Sequence, residues 1–111
     1  MVVGKVIGEI VSSVKIDRLS GQKFLLVEVQ NVTHQTDGCR IVPTATTLVV
    51  NDPLGAGRGE IVLVVQGSSA RMTDLTATIP TDGIIIGIVD SITVDANTVY
   101  RKSDEHGADG N

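Results

Sequence analysis

The sequence predicts an all-β fold, a five-stranded, OB-like small barrel with one short helix, on three observations. Val, Ile and Thr number 17, 11 and 11, so 39 of 111 residues are β-branched. Their stiff χ1 angles suit a pleated surface, whereas the good helix formers Leu and Ala number only 7 and 6. Apolar runs of strand length recur between Gly, Pro and Asp punctuation. The runs number about five, a count that closes most simply as a small barrel.

The first strand is expected over residues 2–14. Val2, Gly4, Val6, Gly8, Ile10, Ser12 and Val14 alternate onto one face, and Lys5 and Glu9 fall on the other. Gly4 and Gly8 inside it mark a bend or a close backbone approach. A polar turn over residues 17–21 leads to a second strand over 23–32, with Leu25, Val27 and Val29 inward and Glu28 and Gln30 outward. After the polar run 33–36, Asp37-Gly38 reads as a tight turn. Residues 39–51 can be extended, with Pro43 marking an edge or a loop because it lacks an N–H donor. The main loop spans 52–59 and a strong strand follows over 60–66. Residues 68–75 are the one plausible helix, with Ser68 or Ser69 as its N-cap. Pro80 to Gly83 breaks the chain before a strand over 84–94, a turn at 95–97 and a short final strand over 98–102. Residues 1–102 thus form one domain, and the polar residues 103–111 a mobile tail.

Two constellations invite a chemical reading and decline it. Gly55-Ala56-Gly57-Arg58-Gly59 is glycine-rich, but a phosphate cradle needs a helix directly after the glycines, and here a strand follows. A strand-connecting loop with positive φ is the simpler reading. Gly67-Ser68-Ser69-Ala70-Arg71 lacks the second glycine of a nucleophile elbow. Helix capping is the better role for its serines. His34 sits in a polar turn and His106 in the tail, so neither is placed as a base or ligand. Asp82 and Asp90 flank an apolar strand, where a carboxylate caps a turn more readily than it serves as an acid. No enzyme activity, metal or cofactor is expected.

Charge and composition exclude other classes. The formal charge is −4, but three acids lie in the tail, and without it 10 acids face 9 bases. That balance suggests neither nucleic acid nor an anionic membrane as partner. Single-strand binders use aromatic platforms, and this chain has one Phe, one Tyr and no Trp. An OB-type module for nucleic acid or a small ligand is therefore the weaker alternative. No run approaches the ~18 uncharged apolar residues of a membrane span. The lone Cys39 and the absence of a secretory leader pattern point to the reducing cytoplasm. What remains in excess is apolar surface. Residues 61–65 and 84–89 are apolar on both faces. A small barrel has one interior, so their outer faces call for a cover, most simply another copy of the chain.

The ordered set of short motifs resembles the EutN/CcmL family of bacterial microcompartment shell proteins. It runs from Gly4, Val6, Gly8, Ile10 and Val11 through Leu19, Gly21, Lys23, Phe24 and Leu25. It continues with Gly55-Ala56-Gly57, Gly59-Glu60 and Val62-Leu63-Val64, then Gly67-Ser68-Ser69-Ala70-Arg71, Pro80 with Asp82, and Ile86-Gly87-Ile88-Val89-Asp90. The resemblance implies a cyclic homopentamer, in preference to a six-membered ring, at the vertices of a polyhedral shell whose other tiles are hexameric shell proteins. It also implies that Gly55, Ala56, Gly57, Ser68, Ser69, Ala70, Arg71, Pro80, Asp82 and Asp90 serve the fold or a subunit interface. Asn51 and Pro53 depart from the pattern, standing where members commonly carry apolar residues.

Overall fold

The structure, a computed structural model, describes residues 1–13, 21–35, 38–66 and 81–102. Seven strands run through them: β1 (Val2–Ile10), β2 (Phe24–Gln35), β3 (Gly38–Asn51), β4 (Ile61–Gln66), β5 (Gly83–Ile88), β6 (Ser91–Val94) and β7 (Asn97–Arg101). The first five close a barrel in the order β1-β2-β3-β5-β4, and β6 and β7 form a separate two-stranded sheet. The five-stranded barrel is as expected. The helix expected over 68–75 lies outside the described residues, as do the turn residues 17–20 and the tail.

Several expected boundaries move, each for a local reason. β1 ends at Ile10, with residues 11–13 outside the ladder. Its alternation also slips, because the register with β2 shifts between Val6 and Gly8. Such a bulge sets an extra residue against one partner and exchanges the faces beyond it. Ile10 therefore lies opposite Phe24 on the outer face, while Glu9 lies opposite the buried Leu25. β2 and β3 both outrun their expected spans. Thr33, His34 and Gln35 pair with Arg40, Cys39 and Gly38, so the polar run continues the strand as a two-stranded ribbon. Ladder hydrogen bonds, which do not need apolar side chains, hold it. Pro43 lies within β3, opposite Gln30 at a second register shift. It costs no ladder bond on its other edge, since β3 pairs with β5 only at Val50 and Asn51.

Gln30, expected outward in solvent, is only 7% exposed. Its amide nitrogen donates to the Glu28 carbonyl at 3.0 Å and to Glu28 Oε1 at 3.1 Å, which satisfies the group locally. The single strand expected over 84–94 is two. At Val89 the backbone N–H still donates to the Ile61 carbonyl (2.8 Å), and at Asp90 the carbonyl accepts from Lys102 N–H (2.8 Å). The chain thus leaves the barrel between these residues and starts the β6–β7 hairpin. Asp95 and Ala96 form the hairpin turn with φ of 48° and 65°, the pair of positive values of a type I′ two-residue hairpin.

The core is one apolar cluster. Val6, Leu25, Val27, Leu48, Val50, Val62, Val64 and Ile85 fill the barrel, with Ala56 closing one side from the loop. Gly4 lets β1 approach β2 closely, since a Cβ there would lie 2.1 Å from Val27 Cγ1. The barrel can be this narrow because that position has no side chain.

Candidate functional site

The glycine-rich loop is built around two carboxylates, Asp52 and Glu60, to which the sequence assigned no role. Asp52, at the end of β3, has a fully buried side chain. Its Oδ1 accepts from the N–H groups of Leu54 and Gly55 at 3.0 Å each, and Oδ2 from Ala56 N–H at 2.8 Å. Three successive amides converge on one anion, the concave arrangement that consecutive N–H groups favour. Lys23 Nζ stands 3.6 Å from the same carboxylate. A local signal was present: an Asp one residue before Pro53 and three before Gly55 is a side-chain-closed turn.

Glu60 closes the other end of the loop. One of its carboxylate oxygens accepts from Gly57 N–H and the other meets Lys102 Nζ at 2.7 Å. Hydrogen-bonded to that carboxylate, the Lys102 ammonium is held above the ordinary lysine value. Gly59 N–H donates to the Val6 carbonyl at 2.8 Å, and Val6 N–H to the Glu60 carbonyl at 3.0 Å. The loop is stitched to β1 on one side and to the end of β7 on the other. Gly55 and Gly59 have φ of 79° and 88°, where a side chain would be strained. Gly55 thus turns the chain, Ala56 fills the core and Gly57 donates to Glu60.

Asp82 lengthens the short β3–β5 seam. Its N–H donates to the Val49 carbonyl (3.1 Å), and its Oδ2 accepts from Val49 N–H (3.0 Å). Thr81 Oγ1 donates at the same seam, 3.0 Å from the carbonyls of Val49 and Gly83. Asp90 acts through its carbonyl on Lys102, as above. Pro80, Ser68, Ser69, Ala70 and Arg71 lie outside the described residues. Asn51, one of the two departures from the motif set, is buried, and its amide donates to Gln22 Oε1 at 3.1 Å. His34 is exposed, and its Nε2 meets Asp95 Oδ2 at 2.7 Å, joining the ribbon to the β6–β7 turn.

None of these groups forms a reaction centre. The described residues hold no cluster of three His, Cys, Asp or Glu side chains that could bind a metal ion. Of the two aromatic residues in the chain, Tyr100 is buried and Phe24 is half-buried, so neither offers a stacking platform.

The outer wall is the surface left to consider. Ile61 with Val62 and Ile84 with Ile85 are buried in consecutive pairs, so the chain itself covers part of both faces of β4 and β5. Two of the large apolar side chains that stay outward stand at bulges. Ile7 is the extra residue of the β1 bulge and Ile86 that of a bulge between β4 and β5, and they are 40% and 42% exposed.

The family model described as "Ethanolamine utilisation protein EutN/carboxysome" matches residues 1–90. The chain belongs to the EutN/CcmL family. Among relatives, it is 36% identical over 106 residues to the carboxysome shell vertex protein CcmL of Gloeobacter violaceus, covering 96% of this chain and 99% of that one. It is 42% identical over 92 residues to the bacterial microcompartment shell vertex protein GrpN of Rhodospirillum rubrum, covering 83% and 96%. The solved Gloeobacter CcmL superposes with a TM-score of 0.77 over 94% of this chain and 100% of that one, at 36% identity. The pentameric microcompartment shell protein GrpN superposes with a TM-score of 0.65 over 85% and 99%, at 40% identity. This EutN/CcmL chain thus matches its relatives over most of its length and nearly the whole of theirs.

Proposed function

We propose that this chain is a structural protein of a bacterial microcompartment shell, forming a homopentamer that caps the vertices of a polyhedral shell in the bacterial cytoplasm. The observation that carries the reading is the 40% identical, nearly end-to-end match to a shell protein described as pentameric. Geometry gives five-fold symmetry its task. A layer tiled by hexagonal units alone is flat, and five-fold units supply the curvature that closes it. The activity then resides in the symmetry of the ring, which is consistent with a chain whose polar side chains brace loops and seams. The flanking tiles are proposed to be hexameric shell proteins. The nucleic-acid alternative has nothing to stack on and no basic excess, and it is set aside.

Native mass spectrometry of the purified chain tests the ring. A five-subunit species is expected. A monodisperse monomer would overturn the proposal, and a six-subunit species would overturn the count. Co-expression with a hexameric shell protein tests the vertex role: closed particles are expected with this chain, and open sheets or tubes without it.

A further inference from the structure

The outer wall of the barrel carries two apolar patches on different sides, and a charged row separates them. The first lies on β4 and β5 with the start of β1. Val3 pairs with Leu63 and Leu63 with Gly87, and the bulge adds Ile86 beside them. Glycine at 87 keeps the surface flat, and Leu63 and Val3 are half-buried. The second lies on β1, β2 and β3. Gly8 pairs with Leu26 and Leu26 with Val49, with Ile10 one row further along and Ile7 added by the other bulge. Ile10 is 37% and Val49 36% exposed. Between the patches stands the row Lys5–Glu28–Thr47, in which opposite charges face each other across β1 and β2. In the barrel order β1-β2-β3-β5-β4, strand β2 is two steps from both β4 and β5. The patches therefore look away from each other.

A cyclic ring of more than two subunits is heterologous: each subunit must present two different surfaces, one to each neighbour. We infer that the Leu63–Ile86 face of one subunit seats on the Ile10–Leu26–Val49 face of the next, a second copy of this chain. The inference rests on the ring reading above and deepens it by naming the contact. Both halves of the contact sit on the same chain and match in character, apolar and each bearing an outward isoleucine, Ile86 on one and Ile10 on the other. A bulge makes a strand present an extra side chain outward. Here the device occurs twice, and each time the residue supplied is isoleucine, which gains nothing from facing water.

The test uses the full chain with Ile86→Asp to block the first face and Ile10→Asp to block the second. Both residues are outward, so the folded subunit is expected to persist by circular dichroism; if either variant unfolds, Ile86→Gln or Ile10→Gln replaces it. Native mass spectrometry of each variant alone is expected to show the ring lost, with association weakened at least about 100-fold. The mixture separates this arrangement from others. The Ile86→Asp subunit keeps its second face and the Ile10→Asp subunit keeps its first, so together they form one intact contact and give a 1:1 heterodimer that neither gives alone. Five-subunit rings from both variants, or a mixture that stays monomeric, overturn the assignment of faces while the wild-type ring still stands. A monomeric wild-type chain overturns the ring reading itself.

Discussion

Replacing Gly4 tests the account of how the barrel closes. A Cβ at this position would sit 2.1 Å from Val27 Cγ1, where ordinary contact begins near 3.4 Å, so one side must yield by about 1.3 Å. Val27 cannot easily yield, because it is wholly buried in the core and lies opposite Val6 on one side and Leu48 on the other. Overpacking of this kind costs about 1–3 kcal/mol, of which about 0.4–1 kcal/mol is offset by the lower entropy of the unfolded alanine chain. Gly4→Ala should therefore destabilise by about 1–2 kcal/mol. Val27→Ala alone should cost about 2–3 kcal/mol for the lost burial and the cavity. In the double variant the new methyl enters the space left by Val27 Cγ1, so the combined cost should fall below the sum by about 1–2 kcal/mol. Urea unfolding at one fixed protomer concentration measures all three, since the stability of an assembling chain depends on concentration. Additivity within about 0.5 kcal/mol, or a neutral Gly4→Ala, would refute the close-approach argument.

Other expectations follow from the braces. Ala96→Gly should raise stability by about 0.5–1 kcal/mol, because alanine at φ 65° carries a left-handed penalty that glycine escapes; a lower urea midpoint would contradict the turn geometry. Asp52→Ala should cost about 3 kcal/mol or more by leaving the Leu54, Gly55 and Ala56 amides without their acceptor. Hydrogen exchange at residues 54–56 should accelerate with it, and unchanged protection there would refute the role given to Asp52. The Lys102–Glu60 pair gives a pH signature. Since the folded pKa of Lys102 is raised, its contribution is complete below the ordinary lysine value of about 10.4 and is lost as pH rises through the folded value. Glu60→Gln should flatten stability against pH in that alkaline range, and a profile identical to wild type would count against the pair.

The barrel was legible because its signals are local and strong. β-branched runs of strand length, glycines within the first strand and loops rich in Gly and Pro fix five strands without knowledge of their partners. The ends of strands were less legible, since a ladder can continue through residues with no apolar periodicity. Thr33 to Gln35 did so because Arg40, Cys39 and Gly38 stand across from them. The bulges at Ile7 and Ile86 were invisible for a related reason. A bulge is a property of two strands in register, and neither strand's own sequence marks which residue is the extra one. Glu60 and Lys102 are 42 positions apart and touch only after β7 returns to the loop, so no pattern in the chain pairs them. The charged row Lys5–Glu28–Thr47 likewise exists only once β1, β2 and β3 are aligned.

The bulges connect folding to assembly. Closing five strands around a narrow core requires strong bending, and bulges supply it by adding a residue to one strand of a pair. The added residue has no place in the interior, where Val6 and Ile85 already fill their positions, so it turns outward. A monomer that only needed to fold would favour a polar side chain at such a site, since an exposed isoleucine invites association. Isoleucine at both bulges is intelligible if the outward position is itself buried in the finished ring. The same departure from regular pairing then curves the sheet and furnishes each contact face. Replacing either isoleucine by a polar residue should consequently separate the two roles, leaving the barrel folded and the ring unmade.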